Sequence, residues 1–164
     1  MNYQMVRRMQ ACLAFLPFAL MGVVAGAPAH AKPNFSGDWK LNSAKSDFGP
    51  LPAPTTRTDK ITHSDPTLKV SISASGQQGE MNYEMEYNTE GKETTNDLRG
   101  NPAKTTGKWD GDALLLDTKA SFGGNDLELM DKWTLSEDGK TLTINRHIKA
   151  PQGELEQTIV LEKQ

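Results

Sequence analysis

The sequence predicts an all-β domain, an antiparallel up-and-down β-barrel of about eight to ten strands, placed behind an N-terminal export signal. Three observations predict it. From Phe35 onward, apolar and polar residues alternate with a period of two. Turn dipeptides interrupt that alternation at short intervals, and no stretch keeps a helical period. Before Phe35, an apolar run from Ala11 to Gly26 follows the basic pair Arg7-Arg8. The length of 164 residues suits a single domain.

Residues 1–31 read as a secretory signal peptide. Arg7 and Arg8 supply the positive start, the apolar run supplies the core, and Ala29-His30-Ala31 supplies small residues at the positions a signal peptidase inspects. Cleavage after Ala31 leaves residues 32–164 as the barrel domain. An uncleaved anchor is the alternative, but the run falls short of the ~20 apolar residues a spanning helix needs. Cys12, the only cysteine, precedes most of the apolar core, which excludes lipidation and leaves the mature chain without a thiol. The expected location is the periplasm or the cell exterior, with no stable membrane insertion.

The strands follow in order near 36–42, 55–62, 67–74, 81–88, 92–98, 103–109, 112–122, 125–135, 141–148 and 154–162. Met81, Tyr83, Met85 and Tyr87 alternate with Asn82, Glu84, Glu86 and Asn88, which gives one buried and one wet face. Between the strands stand Asp65-Pro66, Glu90-Gly91, Asn101-Pro102, Asp110-Gly111, Gly123-Gly124, Asp138-Gly139 and Pro151-Gln152-Gly153. No segment is left for a helical crossover, so the sheet is antiparallel, and closure removes its exposed edges. Ser43–Pro54, with Gly49, Pro50, Pro52 and Pro54, is a loop that runs across one barrel mouth.

The segment Phe35-Ser36-Gly37-Asp38-Trp39-Lys40-Leu41 resembles the Gly-x-Trp opening strand of lipocalins. It is also similar to the Phe-x-Gly-x-Trp-Lys-Leu opening of the intracellular lipid-binding (fatty-acid-binding) proteins. Both are calycin barrels. Asn42-Ser43-Ala44-Lys45-Ser46, Trp109-Asp110-Gly111-Asp112 and the run from Trp133 to Lys140 resemble small secreted bacterial proteins known only as lipocalin-like. The resemblance implies a calycin-type barrel and an export route, and no established ligand. The chain departs from the lipid-binding proteins in two ways: Ser43–Pro54 is too short for their two helices, and 154–163 lacks their Arg-x-Tyr pair.

Hairpin register identifies the interior, because opposed residues share a face. Leu135 faces Leu142, Trp133 faces Ile144 and Asp131 faces Arg146. Ile148 opposite Leu155 then sets Arg146 beside Gln157. Turns at Gly123-Gly124, Asp110-Gly111, Arg99–Pro102 and Asn88–Gly91 add Leu116, Thr105, Asn96 and Tyr83 at the same level. The expected belt is thus Tyr83, Asn96, Thr105, Leu116, Asp131, Arg146 and Gln157, largely polar where a filled core would be apolar. Buried charges must pair, so Asp131 and Arg146 form an ion pair. That pair is either structural, with Arg146 packed on Trp39 as calycins arrange it, or ligand-contacting with Tyr83, Asn96 and Gln157 as neighbours.

Eighteen basic residues against 21 acidic ones leave no basic field for nucleic acid. Loss of Arg7 and Arg8 takes the basic count to 16 and the net charge to −5. His63, in a turn, and His147, outward beside Arg146, do not make a metal site without cysteine. Asp110 and Asp112 are turn residues, and Glu84 and Glu86 lie on a wet face. Trp109 and Trp133 serve core closure. No nucleophile elbow, phosphate loop or other catalytic constellation is present, and no cofactor is called for. The expected function is a non-enzymatic barrel holding a small, largely apolar ligand. The alternatives are a filled barrel that binds or inhibits an envelope protein, and a small cyclase or isomerase with Asp131 as base.

Overall fold

The computed structural model describes residues 31–164 apart from Gln78. The expected signal peptide, apart from Ala31, and Cys12 therefore lie outside the described residues. Ten strands follow one another: β1 (Gly37–Leu41), β2 (Thr56–Ser64), β3 (Thr67–Gly76), β4 (Gly79–Asn88), β5 (Thr94–Leu98), β6 (Asn101–Asp110), β7 (Ala113–Phe122), β8 (Asn125–Leu135), β9 (Thr141–Ala150) and β10 (Gly153–Lys163). Every strand matches an expected one to within three residues at each end. All pairings are antiparallel, in the order β4-β3-β2-β1-β10-β9-β8-β7-β6-β5.

The first and last strands close on each other, with Trp39 opposite Lys163 and Leu41 opposite Leu161. The break in the ladder therefore falls in mid-sequence, between β4 and β5. A side chain crosses it. Asn96 accepts from the Glu86 amide through Oδ1 at 2.7 Å and donates through Nδ2 to the Glu86 carbonyl at 3.0 Å. One amide side chain thus copies the paired bonds of a β-ladder and nearly completes the barrel. Nearby, a Cβ on Gly107 would lie 2.5 Å from the Asn88 carbonyl oxygen, so the seam closes this tightly only because position 107 has no side chain.

Two turns differ from the sequence expectation. Leu98 pairs with Asn101, so the β5–β6 turn is Arg99-Gly100, both at positive φ (57° and 80°), as a tight hairpin prefers. Asn101-Pro102 belongs to β6 instead. Pro102 precedes the first β6–β7 pair, Ala103 with Ala120, so its missing N–H removes no rung there. Asp110 pairs with Ala113, which makes the next loop Gly111-Asp112 rather than Asp110-Gly111. Each change moves the register by two residues, which keeps faces and alters levels.

The barrel has two unlike ends. At the end holding the β2–β3 and β6–β7 turns, Phe35 enters ahead of β1 and plugs the interior. It stacks on His63 and Trp109, with centroids 5.6 and 5.8 Å away, and meets Trp133 edge-on at 5.8 Å. Trp39 donates its indole N–H to the Phe35 carbonyl at 2.9 Å. Leu68, Leu114, Leu142, Ile144, Ile159 and Leu161 fill the remainder and are wholly or almost wholly buried. His63, expected in a turn, is instead an inward residue of β2. It accepts from the Phe35 amide at Nδ1, so its Nε2–H serves the Asp65 carboxylate at 3.0 Å. The cation over Trp39 is Lys163, at 5.3 Å, and not Arg146.

Candidate ligand-binding site

The opposite end is lined differently, because the inward positions of β2, β8, β9 and β10 turn polar as they approach it. Asp131 and Arg146 face each other across β8 and β9, as the register of the hairpin requires. Arg146 Nε and Nη2 each donate at 2.7 Å to the two Asp131 oxygens. Further round the barrel, Arg57 and Asp59 occupy successive inward positions of β2 and repeat the arrangement, with bonds of 2.8 and 2.7 Å. In both pairs each carboxylate oxygen accepts one guanidinium bond, and the guanidinium keeps its Nη1 hydrogens for another partner.

Burial opposes the charge of Arg146, but the Asp131 carboxylate outweighs it and holds the guanidinium pKa above the ordinary arginine value. Arg57 behaves alike: burial works against its charge, and the bonds and charge of Asp59 overcome it. Tyr87 is pushed up, first by burial and then by the Asp131 charge, so its phenol stays protonated. The accessible member of the group is Arg146, whose side chain is 24% exposed, against 8% for Asp131 and 0% for Asp59.

The β1–β2 loop covers this end. It first runs along β10, where Asp47 and Thr158 exchange backbone bonds of 2.7 and 2.8 Å. Phe48 then packs onto the core from above, and its carbonyl accepts from Gln157 Nε2 at 3.2 Å. The chain crosses the mouth to β3, where the Thr55 amide donates to the Ser75 carbonyl at 2.7 Å. Ser43–Pro54 is thus the mouth-crossing loop its glycine and prolines suggest. Beneath it lies a cavity of about 220 Å³, bounded by Phe48, Leu51, Ala74, Met81 and Ile159 on its apolar side and by Arg57, Tyr83, Arg146 and Gln157 on its polar side.

Of the five expected site residues, Tyr83, Arg146 and Gln157 line this cavity, and Asp131 stands behind Arg146 as its counter-ion. Asn96 does not join them, because it bridges the β4–β5 seam. Pairing also breaks the expected belt past Leu116. Leu116 faces Gly107, and Thr105 instead faces Thr118, with a buried hydroxyl pair at 2.8 Å. Tyr83 reaches the site through its own ladder, opposite Ile72 of β3, and not through β5. The residues missed were Arg57 and Asp59. Their signal was the alternation backward from Ile61, but Ile61 is the only aliphatic residue in β2, too little to mark the inward face.

Both histidines among the described residues are engaged elsewhere. His63 is bound into the plug, while His147 faces outward and meets Glu154 at 2.9 Å and Glu156 at 3.4 Å. Among the described residues, no three His, Cys, Asp or Glu side chains gather as metal ligands.

Among the solved structures similar to this chain are three with whole-barrel overlap. Secretory abundant heat soluble protein 4 from Ramazzottius varieornatus is 15% identical with a TM-score of 0.54, over 79% of this chain and 94% of that one. A mutant of the fluorescent protein UnaG is 16% identical with a TM-score of 0.53, over 79% and 96%. Zebrafish ileal bile acid-binding protein, complexed with cholic acid, is 15% identical with a TM-score of 0.55, over 79% and 98%. At such identities the likeness is one of fold, the nearly closed ten-stranded barrel of the calycin, fatty-acid-binding-protein type. No protein-family model matches the chain. No curated protein sequence matches it either.

Proposed function

We propose that this chain is an exported, non-enzymatic barrel that binds one small, largely apolar molecule beneath the Ser43–Pro54 loop. The observation that carries the reading is the cavity of about 220 Å³, apolar on one side and bearing Arg57, Arg146, Tyr83 and Gln157 on the other. A filled barrel would place aliphatic side chains at these levels, as the plugged end does. The zebrafish fold neighbour is described with cholic acid bound, which supports a ligand inside this one.

The same geometry argues against a catalytic use of Asp131. Both of its oxygens accept from Arg146, and the carboxylate, only 8% exposed, stands behind that guanidinium rather than on the cavity wall, out of a substrate's direct reach. Export rests on the Arg7-Arg8 start, the apolar run and Ala29-His30-Ala31, and directs the mature chain to the periplasm or beyond.

Native mass spectrometry of the exported protein, purified without detergent, tests the reading. The expected spectrum shows a chain beginning at Lys32 and carrying a small non-covalent adduct that is released on activation. A bare chain that also takes up no amphiphile on titration would overturn ligand binding and favour a partner-binding barrel. An N-terminus at Met1 would overturn export.

A further inference from the structure

The charges around the cavity balance. Arg57 is matched by Asp59 and Arg146 by Asp131, each through two bonds that use Nε and Nη2. What remains available to a ligand is a set of donors, the Nη1 hydrogens of the two guanidiniums, with the Tyr83 hydroxyl beside them. Gln157 has given its Nε2 to the Phe48 carbonyl. A carboxylate entering here would add a third negative charge to two arginines that are already neutralised, and would leave its water to do so. An ammonium would find as acceptors only the Gln157 Oε1 and the Tyr83 hydroxyl oxygen, beside two guanidinium edges that repel it. A carbonyl or ether oxygen needs only the donors and brings no charge to desolvate.

The volume narrows the ligand further. The cavity volume is about 220 Å³. That is below the roughly 300–1,000 Å³ of sites that enclose drug-sized ligands.

From the paired arginines and the small volume, and resting on the ligand-binding reading above, we infer that the site selects a compact, uncharged amphiphile whose polar end accepts hydrogen bonds, such as a medium-chain amide, ketone or lactone, and discriminates against carboxylates.

The test is calorimetric titration of the purified full chain at neutral pH with octanamide, octanoate and octylammonium, which share a tail and differ in charge. Octanamide is expected to bind at least tenfold more tightly than either ion. Octanoate binding as tightly as octanamide, or more so, overturns the inference and leaves ligand binding itself intact. Failure of all three to bind overturns both. Asp131→Asn provides a second reading, because it uncovers the charge of Arg146. In a variant whose circular dichroism matches the parent, the octanamide-to-octanoate preference should fall at least tenfold, and an unchanged preference overturns the inference. If the variant does not fold, the three-ligand series on the parent decides.

Discussion

Asp131 gives both carboxylate oxygens to Arg146, and this determines what a substitution at either position does. Arg146→Met does not simply remove a ligand contact, because it strands a carboxylate that is only 8% exposed. Breaking such a pair costs about 3 kcal/mol, the low end of the usual range, since Arg146 keeps some solvent. Urea denaturation should show that loss, and Asp131→Leu combined with Arg146→Met should recover more than half of it. A double variant no more stable than the single one would mean that the pair is not the source of the effect. Asp65 makes a separate prediction about pH. Its partial burial works to raise its pKa, but bonds from Thr89 and His63 overcome this and hold it below the ordinary carboxylate value. A lowered folded pKa means stability that is present above the unfolded value of about 3.9 and lost as pH falls through the folded one. Thermal melts between about pH 5 and pH 3 should therefore fall less steeply for Asp65→Asn than for the parent. Equal slopes would place the acid sensitivity elsewhere.

At the scale of the element, β4 and β5 are joined by a side chain where every other neighbouring pair has a ladder. Asn96→Ala removes both bonds to Glu86 and should cost about 1 kcal/mol, since the site is exposed and water replaces what is lost. Its sharper signature is local: the Glu86 amide should exchange with solvent faster in the variant, while amides of the β9–β10 ladder should not change. Uniform acceleration would instead indicate global destabilisation. The strands themselves were legible in the sequence to within a few residues, because alternation is a local property of a half-buried sheet. Levels were less legible. A turn displaced by one residue, such as Gly111-Asp112 for Asp110-Gly111, shifts every pair after it by two without exposing an apolar side chain. Hydropathy cannot detect such a shift, so Thr105 and Asn96 were expected at a level they do not occupy.

Across the whole molecule, the interior is divided between an aromatic plug and a polar cavity, yet the same strands run through both. Trp39, Trp109 and Trp133 come from β1, β6 and β8 and gather around Phe35, while β1 is held by β2 on one side and β10 on the other. Unfolding should therefore be a single transition, with tryptophan fluorescence and far-ultraviolet circular dichroism coincident in urea. Separate midpoints would mean that the plugged end and the cavity end come apart independently. What the sequence determined by itself was the class of fold, the number of strands, the mouth loop and the Asp131–Arg146–Gln157 row, all of which follow from near-neighbour alternation and adjacent hairpins. What only the tertiary structure decided was where the barrel breaks, which cation covers Trp39, and that Arg57 and Asp59 join Arg146 at one cavity. Those depend on contacts between strands far apart in the chain, and period-two patterning carries no information about which distant strands meet.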